Sequence, residues 1–319
     1  MEKLRIVFMG TPEFAAHNLR ILHQSGANVV AVVTAPDKPA GRGRKITPSA
    51  VKQTAQELGI QVLQPVKLKD PAFVEVLRNL KPDLQVVVAF RMLPEVVWNL
   101  PPYGTFNLHA SLLPQYRGAA PINWAVMNGE TVTGVTTFFL NHEIDTGNII
   151  MQEKVAIEPD DNAGSVHDKL METGARLVVK TVAAIEAGDV KEQSQSADGE
   201  EALKPAPKIF KDDCRINWSM SSVEIHNKVR GLSPYPAAWT EMQEPGKAPV
   251  SLKVYATVLT DSDYALNPGA LFCDGKELLM AGTGDGTLGI LEIQMAGKKR
   301  MPVTDFLRGY RWVEGTKLV

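Results

Sequence analysis

Short, continuous apolar segments alternate with amphipathic segments along the first half of the chain. Apolar stretches predict β-strands, and apolar positions three and four residues apart predict helices. The predicted strands are 4–9, 29–33, 60–63, 84–89, 105–108, 132–139 and 149–156, and the predicted helices are 13–25, 49–58, 71–80 and 165–187. Because the strands are uniformly apolar rather than alternating, they are typical of a parallel sheet with helices on both faces. The pattern therefore predicts an α/β fold with a Rossmann-like domain.

The second half of the chain has a different pattern. Residues 188–207 are polar and include the run SQSADGEE, which is typical of a linker packed over the surface. One helix is predicted at 222–229, and short strands follow at 251–258, 269–272, 277–281 and 287–294. Closely spaced short strands separated by Gly and Asp favour a small antiparallel, OB-like β-barrel. We predict a catalytic domain at 1–188, a linker at 189–207 and a C-terminal barrel domain at 208–319.

Composition narrows the class of protein. The 319 residues are 44% hydrophobic and 22% charged, which describes an ordinary globular chain long enough for two domains. Cys214 and Cys273 form no CxxC pair, which argues against a disulfide scaffold and a cysteine-based zinc site. No apolar run approaches the roughly 20 residues of a membrane span, and the first residues lack a signal-peptide pattern. We expect a cytoplasmic protein without a membrane partner. With a net charge of −2, it would have to contact nucleic acid through local basic patches.

The segment FNLHASLLPQYRGAAP at 106–121 is the strongest candidate for chemistry. Asn107 and His109 are two residues apart, so a strand would project both from one face. Active sites of open α/β sheets lie at the carboxyl ends of the strands, where an amide and an imidazole could hold an oxyanion while protons move. A second segment, HEIDTG at 142–147, supplies the carboxylate of Asp145. Each of these residues could instead be an ordinary turn or cap residue.

The two segments together resemble the signature of the 10-formyltetrahydrofolate-dependent formyltransferases. The resemblance implies a direct transfer of the formyl group from 10-formyltetrahydrofolate to an amine, with Asn107, His109 and Asp145 as the catalytic residues. It also implies that one loop contacts the folate cosubstrate, through Ser111, Leu112, Leu113 and Pro114. Ser111 lacks the GxSxG context of a nucleophile. We expect no metal, because His109 and Asp145 have no third ligand at suitable spacing.

A basic arm and the predicted barrel bear on the acceptor amine. Residues 34–52 include PDKPAGRGRK and carry a local charge of 5 − 1 = +4. Their glycines and prolines predict an extended, mobile arm that could follow a phosphate backbone; the alternative is a solvated basic loop. Arm and barrel resemble the family members that formylate methionyl initiator tRNA for translation initiation. The resemblance implies tRNA contacts by cations of the arm and of the barrel, and we expect a monomer. The candidates are Lys38, Arg42, Arg44, Lys45, Lys298, Lys299 and Arg300, with Arg42 foremost.

Other functions remain open at this stage. The acceptor could be an amino-sugar nucleotide, glycinamide ribonucleotide or another small amine, although those relatives lack the PDKPAGRG arm in this form. A hydrolase that releases formate is a further possibility. A catalytically silent nucleotide- or RNA-binding protein is the alternative from another class. The turn after the first strand reads MGTPE at 9–13, without the GxGxxG of dinucleotide-binding domains, which argues against NAD.

Overall fold

The computed structural model describes residues 3–40, 45–195, 202–260 and 265–319. Contacts divide the chain into two compact units, here called the N-terminal and C-terminal units. The N-terminal unit is Met1–Gly118, Thr133–Val155 and Asp168–Pro205, and the C-terminal unit is Ala119–Val132, Ala156–His167 and Ala206–Val319. The contiguous boundaries at 188 and 208 stay predictions. No helix within the described residues is long and apolar enough to cross a membrane.

A seven-stranded sheet forms the centre of the N-terminal unit, in the order β5-β2-β1-β6-β7-β8-β9. Its strands are β1 Ile6–Gly10, β2 Val29–Val33, β5 Gln61–Leu63, β6 Leu84–Val88, β7 Thr105–His109, β8 Val132–Phe139 and β9 Ile149–Ala156. The first five are parallel, and β8 runs antiparallel to β7. All residues of β1 and β6 are buried, as expected for strands covered on both faces. The predicted Rossmann-like domain is confirmed.

Local sequence signals explain where the helices of this unit begin. Its helices are α1 Glu13–Gln24, α2 Ala50–Glu57, α3 Pro71–Asn79, α4 Glu95–Trp98 and α6 Ala163–Ala187, the last of which starts within the C-terminal unit. The Ser49 hydroxyl accepts the N–H of Lys52 and caps α2. The Asp70 carboxylate caps α3, and Pro71 occupies the first turn, where its missing N–H costs nothing. These caps fix where α2 and α3 begin.

Part of the basic arm is extended, as predicted, whereas its pairing had no signal in the sequence. Two short strands, β3 Lys38–Ala40 and β4 Lys45–Thr47, form an antiparallel ladder. At the base of the arm the Asp37 carboxylate accepts hydrogen bonds from Lys52 Nζ at 2.5 Å and Gln64 Nε2 at 2.8 Å. Both contacts hold the pKa of Asp37 below its usual value. Asp37 therefore balances the charge of Lys52, which leaves that lysine less available to a polyanion.

The C-terminal unit contains a closed antiparallel barrel, as predicted. Its strands follow the order β12-β13-β14-β11-β10-β16, with β15 beside β14. They are β10 Ala238–Gln243, β11 Val250–Leu259, β12 Leu271–Cys273, β13 Leu279–Gly282, β14 Thr287–Met295, β15 Met301–Pro302 and β16 Lys317–Leu318. The N–H of Leu318 donates to the Gly269 carbonyl at 2.8 Å, and Ala270 bridges to Lys317. These bonds join the two ends of the strand path, so the sheet closes into a barrel.

Helices support the barrel. They are α5 Pro121–Met127, α7 Ser222–Leu232 and α8 Val303–Gly309, with a short 3-10 helix at Asp212–Cys214. Ser221 and Glu224 form a reciprocal capping box at the start of α7. A Cβ on Gly231 would lie 2.4 Å from Met127, so glycine permits α5 to approach α7 closely. Sequence patterning missed α4, α5, α8 and β10, because four to seven residues carry too little periodicity.

Leu318 tests the closure of the barrel, since it is 4% exposed and lies in the barrel core. We expect Leu318→Ala to lower the free energy of unfolding of the C-terminal unit by about 2–5 kcal/mol, because it leaves a cavity at the closing strand. Chemical denaturation checks this, with the exposed neighbour Lys317→Ala as the matched control. Equal unfolding midpoints for the two variants would contradict the closure.

Candidate functional site

The carboxyl end of β7 carries the two polar residues that the sequence singled out. Asn107 pairs with Val87 of β6 and Phe138 of β8, so it sits in the middle of the sheet. Its side chain is half-buried and makes no hydrogen bond with a residue that the structure describes. His109 follows on the same face of the strand. The amide of Asn107 is therefore available to a bound molecule beside the imidazole.

His109 is held by a backbone carbonyl. The side chain is 6% exposed, and Nε2 lies 2.9 Å from the carbonyl oxygen of Tyr116. A carbonyl oxygen only accepts, so Nε2 must carry the proton. In the neutral ring Nδ1 then has a free lone pair, and Nδ1 lies 4.0 Å from Oδ2 of Asp145. The ring can take a further proton only at Nδ1, on the side of the carboxylate.

Two opposing effects set the pKa of His109. Burial lowers this pKa, whereas the charge of Asp145 and the hydrogen bond to Tyr116 raise it. Burial dominates, so the pKa lies below its ordinary value and the imidazole is neutral at neutral pH. A neutral imidazole next to a carboxylate can accept a proton and then be stabilised as the cation.

The loop that presents Asp145 has an unusual backbone. Asp145 has a φ of +55°, a left-handed conformation that Asp tolerates better than most residues. Its Oδ2 accepts the N–H of Gly118 at 3.1 Å. A Cβ on Gly147 would lie 1.6 Å from the carbonyl oxygen of Phe139, so only glycine fits there. Because its carboxylate bonds to a loop 27 residues away, Asp145 does not act as the local cap that the sequence left open.

Hydrogen bonds and burial hold the loop at 111–114, which is predicted to contact folate. The Ser111 hydroxyl donates to the Gln115 carbonyl at 2.6 Å, and Leu113 is 3% exposed. Thr136 donates to the Ser111 carbonyl and accepts the N–H of Leu113. Leu112 and Pro114 are half-exposed and remain accessible. Folate contact by these four residues stays a prediction, and for Ser111 and Leu113 it would have to come from the backbone.

The structure places Asn107 and His109 on one face of β7 and Asp145 beside His109, and it adds supporting residues that sequence reasoning missed. Thr136 lies opposite His109 in the β7–β8 register, and Gln152 Nε2 donates to the Leu113 carbonyl and to Thr136. The sequence identified Tyr116 only as a member of the motif. Its role could not be predicted from its side chain, because it contacts His109 through its backbone carbonyl. A sequence signal for Thr136 exists only once the pairing of β7 with β8 is known.

The residues predicted to contact tRNA differ in accessibility, and their contact with tRNA stays a prediction. Lys38, Lys298 and Lys299 are exposed, Lys45 is described only as part of β4, and Arg42 and Arg44 lie outside the described residues. Arg300 pairs with both carboxylate oxygens of Glu292 and lies over the Tyr255 ring. These contacts raise the pKa of Arg300 and occupy its guanidinium. Of the barrel cations, Lys298 and Lys299 are therefore freer than Arg300 to meet a phosphate.

A second group of cations in the C-terminal unit was not predicted. Lys208 lies 5.4 Å from the ring centre of Phe210, whose side chain is 62% exposed. Lys211 and Arg215 lie 5.4 and 5.0 Å from the ring centre of Trp239. Cations interleaved with aromatic rings are typical of surfaces that bind unpaired nucleotides. We call this group, Lys208, Phe210, Lys211, Arg215 and Trp239, the basic aromatic surface.

Two family models match the chain. The formyl transferase family matches residues 4–182, and the formyl transferase C-terminal domain matches residues 208–311.

Among the described residues, no group of three His, Cys, Asp or Glu side chains could hold a metal ion.

Curated relatives match the whole chain. It is 53% identical over 320 residues to the methionyl-tRNA formyltransferase of Bacteroides fragilis, covering 99% of this chain and 98% of the relative. It is 56% identical to the enzyme of the same name from Parabacteroides distasonis, covering 98% and 97%.

Solved structures share the fold at low identity. An N-formyltransferase from Helicobacter canadensis, in complex with folinic acid and dTDP-3-aminofucose, superimposes with a TM-score of 0.63 at 21% identity, covering 92% of this chain and 99% of that one. HypX from Aquifex aeolicus gives 0.63 at 19% identity over 99% of this chain, and this chain spans 51% of HypX.

Asp145→Asn tests the electrostatics of the site. Because the charge of Asp145 raises the pKa of His109, its removal should lower that pKa further, so the ring protonates at a lower pH. Asn also tolerates the left-handed backbone at this position. NMR titration of the His109 ring checks the shift. An unchanged or raised pKa would mean that the carboxylate does not act on the ring.

Proposed function

This chain belongs to the formyl transferase family, and from that membership we propose that it transfers the formyl group of 10-formyltetrahydrofolate to the amino group of methionyl initiator tRNA, for translation initiation. The observation that carries the proposal is the buried His109 at the end of β7, whose Nε2 lies 2.9 Å from the Tyr116 carbonyl oxygen and whose Nδ1 lies 4.0 Å from Asp145. It stands in a chain whose relatives, at 53–56% identity over nearly their full length, are named methionyl-tRNA formyltransferase. The monomeric state and the cytoplasmic location stay predictions.

His109 supplies the base. An amine attacks a carbonyl carbon only as the free base, and the product amide carries one proton fewer on nitrogen. With Nε2–H donated to the Tyr116 carbonyl, the proton lost by the amine goes to Nδ1 of His109. The Asp145 carboxylate, 4.0 Å away, stabilises the imidazolium that results. The proton can then leave with the folate nitrogen.

Asn107 supplies the second element, a donor for the developing oxyanion. Its amide has no partner among the described residues, so its N–H groups are free to meet the formyl oxygen as that oxygen becomes negative. Until its proton passes to the folate nitrogen, the Nδ1–H that forms on His109 is a second donor to this oxyanion. Because the interactions strengthen as charge develops, they accelerate the transfer rather than only tighten binding.

The loops at the carboxyl ends of β6 and β7 fit an aromatic cosubstrate. β6 and β7 are parallel neighbours, so the loop after β6 emerges beside His109. In that loop Ala89 has a φ of +46°, and Met92 is 73% exposed. With the half-exposed Leu112 and Pro114, this loop offers an apolar surface that suits the flat face of a pteridine ring. These loops are the place where we propose that folate binds.

The basic residues support a tRNA acceptor. Exposed cations on this chain of net charge −2 include Lys38 on β3, Lys298 and Lys299 on the barrel, and Lys208 and Lys211 of the basic aromatic surface. Localised cations of this kind fit phosphate contacts, and the exposed Phe210 fits an unpaired base. An amino-sugar nucleotide needs no such set of cations. It is the weaker candidate, since the sugar-modifying structural neighbours share 18–21% identity.

Formylation of charged initiator tRNA tests the function. Purified protein with labelled 10-formyltetrahydrofolate should transfer label to methionyl initiator tRNA and not to the uncharged tRNA. His109→Ala and Asn107→Ala should each lower kcat/KM by about 100- to 1000-fold, because each removes a donor or base used in the transition state. His23→Ala on α1 is the control and should retain activity. Label transfer to an amino sugar but not to the tRNA would contradict the proposed tRNA acceptor and favour the amino sugar.

Salt dependence tests the basic aromatic surface. Each phosphate contact contributes about 1 to the slope of log affinity against log salt concentration. Lys208→Ala and Lys211→Ala should each reduce that slope by about 1 in tRNA binding. Lys276→Ala, in the turn between β12 and β13, is the control. A slope unchanged in all three variants would exclude the surface from the tRNA contact.

A further inference from the structure

The polar segment predicted as a linker contacts both loops that hold His109. The backbone of Gln193 pairs with Ile149 through hydrogen bonds of 2.7 and 2.9 Å. The Lys204 carbonyl accepts the N–H of Tyr116 at 2.8 Å. Tyr116 is the residue whose carbonyl holds Nε2 of His109. The segment thus lies against the catalytic loops as part of their support.

Gln195 is the one side chain of this segment that joins the two loops within the described residues. Its Nε2 donates to the carbonyls of Asp145 at 3.0 Å and Gly147 at 2.7 Å. Its Oε1 accepts from Nε of Arg117 at 3.1 Å and from Nη2 at 2.7 Å. Both N–H groups and both lone pairs of the amide are used, so the side chain has one orientation that satisfies it.

The position of Asp145 depends on such support. Its backbone is left-handed, and its carboxylate is held by the N–H of Gly118, the neighbour of Arg117. Gln195 binds the loop of Asp145 and the loop of Arg117 at once. If the amide were lost, the two loops could separate, and the carboxylate could move away from Nδ1 of His109. A displacement of about 1 Å can cost about 100-fold in rate.

We propose that Gln195 is a positioning residue for formyl transfer, which ties the Asp145 loop to the Arg117 loop and so holds the carboxylate beside Nδ1 of His109. The inference rests on the proposed function. Gln195 acts only through Asp145 and does not itself contact either substrate. It follows that a residue of the segment predicted as a linker sets the geometry of the base.

Kinetics of two Gln195 variants and one control test the role. Gln195→Glu keeps an acceptor for Arg117 but cannot donate to the Asp145 and Gly147 carbonyls, and Gln195→Ala loses all four bonds. We expect kcat to fall about 10- to 100-fold in each, with KM for both substrates within about twofold. Gln193→Ala is the control and should match the wild type, because the exposed Gln193 side chain has no hydrogen-bond partner among the described residues. A raised KM with unchanged kcat, or full activity in both Gln195 variants, would overturn the proposal.

A double-mutant cycle separates positioning from a general structural effect. If Gln195 acts through the carboxylate, Gln195→Ala should cost less than about twofold in kcat when it is added to Asp145→Ala. The same fold-loss in both backgrounds would show that Gln195 acts independently of Asp145, and would contradict the proposal.

A titration without substrate keeps this test independent of the proposed function. In Gln195→Ala the pKa of His109 should fall, in the same direction as in Asp145→Asn, because the carboxylate moves away from the ring. Gln193→Ala should leave the pKa unchanged. An unchanged pKa in Gln195→Ala overturns the positioning role even if the wild type formylates tRNA. If the pKa of His109 falls in Gln195→Ala but the wild type does not formylate tRNA, the proposed function is contradicted and the positioning role is retained.

Discussion

The hydrogen bond from His109 Nε2 to the Tyr116 carbonyl is the contact on which the proposed chemistry depends. It fixes the tautomer of a nearly buried imidazole, and it thereby assigns the remaining lone pair to Nδ1, on the side of Asp145. Every other feature of the site serves this arrangement. The sheet places His109 at a strand end, Thr136 fixes the loop that follows, and the loop of Asp145 returns its carboxylate to the free nitrogen.

Burial and the charge of Asp145 shift the pKa of His109 in opposite directions, and their balance suits the ring to act as a base. Burial alone would make a proton at Nδ1 too costly, whereas a carboxylate at bonding distance would keep the ring protonated. At 4.0 Å, Asp145 raises the pKa of His109 without overcoming the effect of burial. The neutral ring can thus accept a proton from an amine, and the resulting cation has a partner nearby. The distance itself depends on Gly118 and Gln195, which lie in two different segments.

The sequence predicts the site's central residues better than their supports. Asn107, His109 and Asp145 could be proposed because they stand in two segments that resemble a family signature. Strand periodicity alone puts Asn107 and His109 on one face. Gln195 could not be found, because it lies in a polar segment with no periodicity and acts through contacts with residues 50 and 78 positions away. The fold shows the same division. Buried strands such as β2 and β8 have the predicted bounds, whereas α5 and β10 depend on packing against α7 and β11.

The most direct test of the account is the tautomer of His109, measured by ¹⁵N NMR of the ring at neutral pH. The account predicts a neutral ring with the proton on Nε2 and an unprotonated Nδ1, because the Tyr116 carbonyl can only accept. A proton on Nδ1 in the neutral ring, or an imidazolium at neutral pH, would contradict it. In either case Nδ1 could not receive the proton of the attacking amine, and another group would have to serve as the base.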